Sequence, residues 1–185
     1  SQDESRSQNE RQNQDERSDG SVNEDDYKML FPDQYHNNNS QIISETVNNV
    51  GKIQRIFENG KKELMFNNGV KKIIFPDGYS IVYFNNKDIK QTYPDNKSVY
   101  YFFEADTTQT TFPDGLKVFR FGNGQIEKHY PDLTKEICFK DGTVKCIFAD
   151  GEEESVFPDG TIQRIDRNGV KTVELPDGSV QRMEV

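Results

Sequence analysis

Hydrophobic and polar positions alternate in short blocks along most of this chain, and the blocks recur with a step of nine residues. Each block mixes Ile, Val, Phe and Tyr with Lys, Glu and Gln, and it ends in a polar turn such as Phe75-Pro76-Asp77-Gly78. The interval between turns fits a short strand, whereas a helix needs a much longer interval between its breaking residues. The pattern therefore predicts strands joined by tight turns, with no helix.

The turns have the composition of a three-residue hairpin loop. Pro presets the first central position of a type I turn, Asp or Asn suits the second, and Gly supplies the left-handed residue that follows. One step, from Asn96 to Asp106, is ten residues long. Gly or a substitute occupies the last turn position at Gly51, Gly60, Gly69, Gly78, Lys87, Asn96, Asp106, Gly115, Gly124, Leu133, Gly142, Gly151, Gly160, Gly169 and Gly178.

An aromatic residue stands just before the turn in successive units. These rings are Phe57, Phe66, Phe75, Phe84, Tyr93, Phe102, Phe112, Phe121, Tyr130, Phe139, Phe148 and Phe157. Because side chains alternate along a strand, successive rings should face opposite sides of the sheet. We therefore predict an all-β fold, a single extended antiparallel β-sheet meander of nine-residue hairpin repeats. It should have roughly fourteen strands and be largely solvent-exposed on both faces.

The first part of the chain has a different composition. Residues 1–45 are mostly Ser, Gln, Asn, Asp, Glu and Arg, too polar to bury enough surface to offset chain entropy. We predict a disordered, acidic, low-complexity tail or linker over residues 1–45 and a β-repeat domain over residues 46–185. Within the tail, Tyr27–Tyr35 is either a stray repeat-like element or a short docking segment.

Charge and cysteine content narrow the classes of partner and compartment. The net charge of -9 argues against nucleic acid and anionic membranes, which bind basic surfaces, and favours a partner with some positive charge. No apolar run has the length of a signal peptide or transmembrane helix. Cys138 and Cys146 are too few for a disulfide framework, so we expect free thiols in a reducing, cytoplasmic compartment.

Cross-strand pairing predicts a candidate binding strip. The face that carries Phe84 should also carry Asp88, Lys90, Thr92, Ser98, Tyr100 and Phe102. If the ten-residue step does not flip the sheet, this face continues through Phe121, Gln125, Glu127 and His129. Such an aromatic strip ending in a carboxylate suits a proline-rich peptide with a flanking Lys or Arg. The alternative is that the rings only hold neighbouring strands together.

Three blocks of sequence resemble a known family. They are residues 106–115, 124–132 and 153–160, and the resemblance extends over about Asn49–Val185. The family is the C-terminal domain of T-complex protein 10, also called the G-box or TCP domain, of the centriole-assembly scaffolds CPAP and Sas-4. The resemblance implies a scaffold at the centriole or centrosome that binds a proline-rich motif of a STIL/Ana2-type partner. The peptide-contacting positions that it implies are Phe84, Tyr100, Phe121 and Glu127.

Catalysis is not expected, because a thin sheet offers no water-excluding pocket for converging groups. His129 and Glu127 resemble an acid–base pair, but neighbours on one exposed strand are more often solvated. We therefore expect no catalytic residue, metal or cofactor. The alternative function is a structural spacer that forms homo-oligomers through sheet edges near Lys52–Phe57 and Ser179–Glu184.

Overall fold

The computed structural model of the protein describes residues 39–183, which form one sheet of 16 strands. The strands follow one another in chain order, and each is antiparallel to the next. No helix within this range is long and apolar enough to cross a membrane. The strands are β1 (Ile42–Val47), β2 (Ile53–Phe57), β3 (Lys62–Met65), β4 (Lys71–Ile74), β5 (Ser80–Tyr83), β6 (Ile89–Thr92), β7 (Ser98–Phe102), β8 (Thr107–Thr111), β9 (Lys117–Phe121), β10 (Ile126–His129), β11 (Lys135–Cys138), β12 (Val144–Ile147), β13 (Glu153–Val156), β14 (Ile162–Ile165), β15 (Lys171–Glu174) and β16 (Val180–Met183).

The turns have the predicted hairpin geometry. In the turn between β4 and β5, the Phe75 N–H donates to the Tyr79 carbonyl at 2.8 Å, and the Gly78 N–H donates to the Phe75 carbonyl at 3.0 Å. Asp77 closes the loop by accepting the Tyr79 N–H at 2.9 Å. Gly78 has a φ of 95°, in the left-handed region that glycine adopts without strain. The same left-handed conformation occurs at every turn position predicted from the sequence, including Lys87, Asn96, Asp106 and Leu133.

The ten-residue step lengthens one loop and leaves the register of the sheet unchanged. Phe102 and Thr107 are directly opposite each other at the ends of β7 and β8, with the four residues 103–106 between them. In the other hairpins the loop has three residues, as between Phe84 and Asp88. The extra residue is thus accommodated outside the strand ladder. Side chains therefore keep their faces across this step, which confirms the condition on which the predicted strip depends.

The N-terminal edge of the sheet lies earlier in the chain than predicted. We expected the first edge strand near Lys52–Phe57, but that segment is β2 and pairs on its outer side with β1. Residues 42–45, assigned from composition to the tail, therefore belong to a strand. The rest of the predicted tail, residues 1–38 with the Tyr27–Tyr35 segment, lies outside the described residues, as do the last two residues of the chain. At the other end β16 forms the edge, as expected.

The most buried side chains within residues 39–183 concentrate on one face of the central strands. Tyr79, Ile81, Val99 and Val118 are all at most 7% exposed. The Tyr79 ring lies 5.5 Å from Phe75, and its hydroxyl accepts a hydrogen bond from Gln91 at 2.8 Å. We call this side of the sheet the opposite face. The candidate strip lies on the other side, which we call the strip face.

The two cysteines lie on the opposite face in adjacent strands. Cys146 in β12 faces Glu136 in β11, two residues from Cys138, so the thiols are diagonal neighbours. Both are free, as predicted. Burial raises the pKa of each thiol, with a further contribution from the carboxylate of Glu136. Both side chains are therefore protonated, weakly nucleophilic thiols near neutral pH.

Candidate peptide-docking face

A continuous row of paired residues crosses the strip face at the centre of the sheet. Lys90 faces Tyr100, Tyr100 faces Gln109, Gln109 faces Phe119, and Phe119 faces Glu127. Directly paired residues of antiparallel strands point to the same side. Tyr100 in β7 and Glu127 in β10 therefore share one face, three strands apart. The strip predicted from the sequence exists as a geometric unit.

The first part of the strip is a cluster of three rings. Tyr100 lies 5.9 Å from Phe84 and 4.4 Å from Phe102, measured between ring centroids. All three side chains are half-buried rather than enclosed. Their edges pack on each other while part of each ring remains open to solvent. This arrangement stabilises the sheet and also presents an apolar surface to a ligand.

Asp88 fixes the position of the central ring in this cluster. Its carboxylate accepts hydrogen bonds from the Phe103 N–H at 2.9 Å, from the Tyr100 hydroxyl at 2.8 Å and from the Asn86 amide at 3.0 Å. The bonds from the Phe103 backbone, Tyr100 and Asn86, in that order, lower the pKa of Asp88. Burial and the bond to Asp88 raise the pKa of Tyr100. The carboxylate and the neutral phenol therefore form a fixed pair over the neutral pH range.

The second part of the strip contains a ring that the sequence analysis did not select. Phe119 stacks near Phe121 with a centroid distance of 6.4 Å and an angle of 16° between the rings, and it lies 4.7 Å from the His129 ring. The sequence analysis resumed the strip at the pre-turn ring Phe121 after the ten-residue step and passed over Phe119, which lies two residues earlier in β9, as Tyr100 does before Phe102 in β7. The usable signal was the pairing rule itself, since it placed the predicted Glu127 and Phe119 opposite each other.

A carboxylate lies at the end of the strip. Glu127 Oε1 lies 3.4 Å from His129 Nε2, and Glu127 Oε2 accepts a hydrogen bond from Gln125 at 3.3 Å. The Glu127 side chain is 20% exposed. It therefore retains access to solvent beside Phe119. A carboxylate in this setting can pair with a Lys or Arg of a bound peptide.

Two polar residues of β8 separate the two ring clusters. Thr107 lies between Phe102 and Phe121, and Gln109 lies between Tyr100 and Phe119, all on the strip face. Thr107 is only 8% exposed, so it forms the floor of a notch between higher rings. The notch is one strand wide, and the rings on its two sides are about 9.6 Å apart if two strand spacings are added.

The fold and the strip define a class of protein. A single antiparallel sheet of short hairpins, with half-exposed rings on one face and no enclosed cavity at the strip, is an extended interaction module. Residues 149–182 match the family T-complex protein 10 C-terminus. Among curated proteins, none matches the chain.

Solved structures give a broader comparison. The TCP10 domain of CPAP from Danio rerio, in complex with a STIL peptide, is 42% identical over 72% of this chain and 75% of that chain, with a TM-score of 0.68. A CPAP G-box domain, for which a role in centriole elongation is suggested, is 44% identical over 68% of this chain and 82% of that chain, with a TM-score of 0.64. The SAS-4 TCP domain of Drosophila melanogaster, in complex with a proline-rich motif of Ana2, is 31% identical over 78% of this chain and 97% of that chain, with a TM-score of 0.68. The chain belongs to the TCP10 C-terminal, or G-box, domain family of CPAP and Sas-4.

Proposed function

We propose that this domain is a non-enzymatic scaffold module of centriole assembly, and that its strip face binds a proline-rich peptide of a STIL/Ana2-type partner. The observation that carries the proposal is the pair of half-exposed ring clusters, Phe84–Tyr100–Phe102 and Phe119–Phe121, on the same face as Glu127. Two related domains with peptides of STIL and Ana2 support the identity of the partner.

The physical basis is the match between exposed rings and a polyproline II helix. A proline-rich segment adopts this helix before binding, so it loses little conformational entropy when it docks. Its pyrrolidine rings pack against aromatic faces, and the notch above Thr107 leaves room for a side chain between Phe102 and Phe121. Glu127 then pairs with a basic residue of the peptide, which fixes its direction along the strip.

The first experiment is a calorimetric titration with a synthetic proline-rich peptide that carries one basic residue. Phe84→Ala, Tyr100→Ala and Phe121→Ala should each weaken binding by about 1 to 3 kcal/mol, as loss of a buried aromatic anchor does. Phe148→Ala is the matched control, because this ring also precedes a turn but lies on the opposite face and is 42% exposed. Equal affinity for the wild-type protein and all three strip variants would refute the proposed surface.

The contribution of Glu127 is tested separately by Glu127→Gln, which keeps the size of the side chain and removes its charge. If the carboxylate pairs with a basic residue of the peptide, the loss of affinity should be larger at low salt than at high salt. A loss that does not depend on salt would assign Glu127 a packing role.

In cells, a tagged domain should co-localise with a centriolar marker, and the Phe84→Ala variant should do so less.

The edges of the sheet favour a second candidate, a spacer that assembles through strand pairing. Within the described residues the two edge strands are β1 and β16, and Ile43, Val47 and Val180 are 66%, 63% and 61% exposed. Unpaired edges of this kind are templates for a further strand. Light scattering separates the candidates, because growth in mass with concentration and no response to peptide would favour the spacer.

A further inference from the structure

The row of rings on the strip face continues beyond the proposed peptide site. Phe84, Phe102 and Phe121 precede alternate turns, and Phe139 and Phe157 occupy the same position in the next two alternate hairpins. The unbroken register from β9 to β13 keeps these rings on one face. Phe139 and Phe157 are 38% and 36% exposed. Two further rings are thus available past Glu127.

A groove lies between the two additional rings. It has a volume of about 460 Å³, and its walls include Phe139, Phe157 and Gln125. Thr143 lies in the groove and is only 7% exposed. Its N–H donates to Asp141 at 2.8 Å, which fixes the loop beside Phe139. This arrangement repeats the notch between Phe102 and Phe121, where Thr107 is the short residue between two rings.

The step of this ring row matches the repeat of one ligand type. Rings that recur every second strand are about 9.6 Å apart, because neighbouring strands are about 4.8 Å apart. A polyproline II helix advances about 3.1 Å per residue with three residues per turn, which gives about 9.3 Å per turn. The difference of about 0.3 Å per turn adds up to only about 0.6 Å over two turns. Prolines at every third residue of the ligand therefore recur at nearly the same distance as rings on every second strand.

The opposite face also carries a pre-turn ring at every second turn, namely Phe57, Phe75, Tyr93, Phe112, Tyr130 and Phe148. Of these rings, Phe57 and Phe75 are only 8% and 7% exposed, whereas Phe148 is 42% exposed. Farther along, paired charges cross this face, with Lys128 Nζ 3.6 Å from Glu136 Oε1. The strip face carries a similar pair, with Lys145 Nζ 2.7 Å from Glu153 Oε2, so charge alone does not distinguish the two faces. The strip face is favoured by continuity, because Phe139 and Phe157 follow Phe121 in the same row as the proposed peptide site.

We propose that Phe121, Phe139 and Phe157 form an extension of the peptide site, which holds a second proline-rich stretch of the same ligand with proline at every third residue. This inference rests on the proposed function, because the extension is continuous with the strip. Six added residues, or two turns of polyproline II helix, span about 19 Å, the distance across the four strand spacings from Phe121 to Phe157. The sheet therefore discriminates between ligands by their length and by the spacing of their prolines.

Three peptides test the extension by calorimetry on the full chain. The core peptide contains one proline-rich motif with a basic residue. The second and third add six residues, with proline at every third position, to its N-terminal or its C-terminal end. One of the two extended peptides should bind the wild-type protein about 5- to 20-fold more tightly than the core peptide. This gain in affinity is the size expected from contacts with one or two partly exposed rings.

The variants assign this gain to particular rings. Phe139→Ala and Phe157→Ala should each reduce the gain while leaving the affinity for the core peptide unchanged, which also shows that the variants fold. Phe148→Ala on the opposite face should leave both affinities unchanged. A peptide of the same composition with its added prolines at irregular spacing should bind no better than the core peptide.

The possible failures are distinguishable. If no peptide binds the wild-type protein, the proposed function is wrong, and the extension, which depends on it, is wrong as well. If the core peptide binds and neither extended peptide gains affinity, or if the gain survives both Phe139→Ala and Phe157→Ala, only the extension is wrong. An equal gain from the irregular peptide would overturn the periodic match.

Discussion

The Tyr100 hydroxyl donates a hydrogen bond to Asp88 at a distance of 2.8 Å, and this contact sets the central ring of the strip. Asp88 is itself held by the backbone N–H of Phe103 at 2.9 Å, in the loop that contains the additional residue. The ring therefore has a fixed position between Phe84 and Phe102 before any ligand arrives. Such preorganisation reduces the entropy lost on binding.

Tyr100→Phe tests whether the hydroxyl positions the ring or contacts the ligand. The variant keeps the ring and removes only the bond to Asp88, so we expect peptide affinity to fall about 2- to 5-fold, well short of the loss in Tyr100→Ala. Tyr83→Phe, on the opposite face, is the matched control and should bind normally. If Tyr100→Phe and Tyr100→Ala were equally defective in calorimetry, the hydroxyl itself would be a contact to the peptide.

Asp88→Asn should change how stability depends on pH. Hydrogen bonds from Phe103, Tyr100 and Asn86 lower the pKa of Asp88 in the folded protein. A carboxylate with a lowered pKa stabilises the fold above its ordinary pKa of about 3.9, and this contribution is lost as pH falls through the lower folded value. The wild-type protein should therefore unfold at a higher urea concentration than Asp88→Asn near pH 6, and the difference should shrink below about pH 4.

A double variant assigns this pH effect to the pair. In a Tyr100→Phe background, Asp88 has one hydrogen bond fewer, so Asp88→Asn should have a smaller effect near neutral pH than it has in the wild-type protein. Equal effects in both backgrounds would mean that the bonds from the Phe103 N–H and Asn86, without Tyr100, determine the contribution of Asp88. A constant difference between wild type and Asp88→Asn from neutral to strongly acidic pH would contradict the lowered pKa.

Phe119→Ala tests the ring that sequence reasoning did not select. Phe119 packs on Phe121 and His129 and faces Glu127 across the strand pair, so its loss removes a ligand surface and also loosens Phe121. We expect peptide affinity to fall by about 1 to 3 kcal/mol in calorimetry. Unchanged peptide affinity in Phe119→Ala would limit the ring contacts to Phe84, Tyr100, Phe102 and Phe121. Phe148→Ala is again the control for a partly exposed ring elsewhere.

Much of the fold was predictable because each local signal repeats. A turn residue in the left-handed conformation is needed at every hairpin, and the nine-residue step marks these positions even where Lys87 or Leu133 replaces glycine. The same regularity gives the register, so the shared face of Phe84 and Tyr100 follows from counting residues, whereas Phe121 joins them only because the ten-residue step lengthens a loop without flipping the sheet. Nearest-neighbour pairing between consecutive strands leaves little choice of topology.

The parts that could not be predicted lack a repeating signal. β1 pairs with β2 through Ile42–Val47, but no aromatic residue precedes its turn, where Asn48 accepts the N–H groups of Val50 and Lys52 instead. The role of Asp88 depends on a contact to Phe103, which lies 15 residues away across the sheet. Composition placed residues 42–45 in the tail because the long polar stretch before them dominates that region, although Ile42 and Ile43 are apolar.

Leu133 offers a test of the turn rule at the position where the sequence departs most from it. Its φ of 71° lies in the left-handed region, and its side chain is 74% exposed, so the strain is not offset by burial. Leu133→Gly should raise the free energy of unfolding by about 1 kcal/mol, measured by urea denaturation, because a side chain in this conformation costs about 1 to 2 kcal/mol. Leu133→Ala is the matched control and should change stability by less than about 0.5 kcal/mol, since it keeps the Cβ atom.

The reverse change, Gly151→Ala, should lower the free energy of unfolding by about 1 kcal/mol. Gly151 has a φ of 90° and no atom within 4 Å of an added Cβ, which leaves backbone strain as the cause. Equal stabilities of Leu133→Gly and Leu133→Ala would show that a residue with a Cβ atom costs nothing at this turn position. The nine-residue step would then mark where turns form, but the turns would not require glycine.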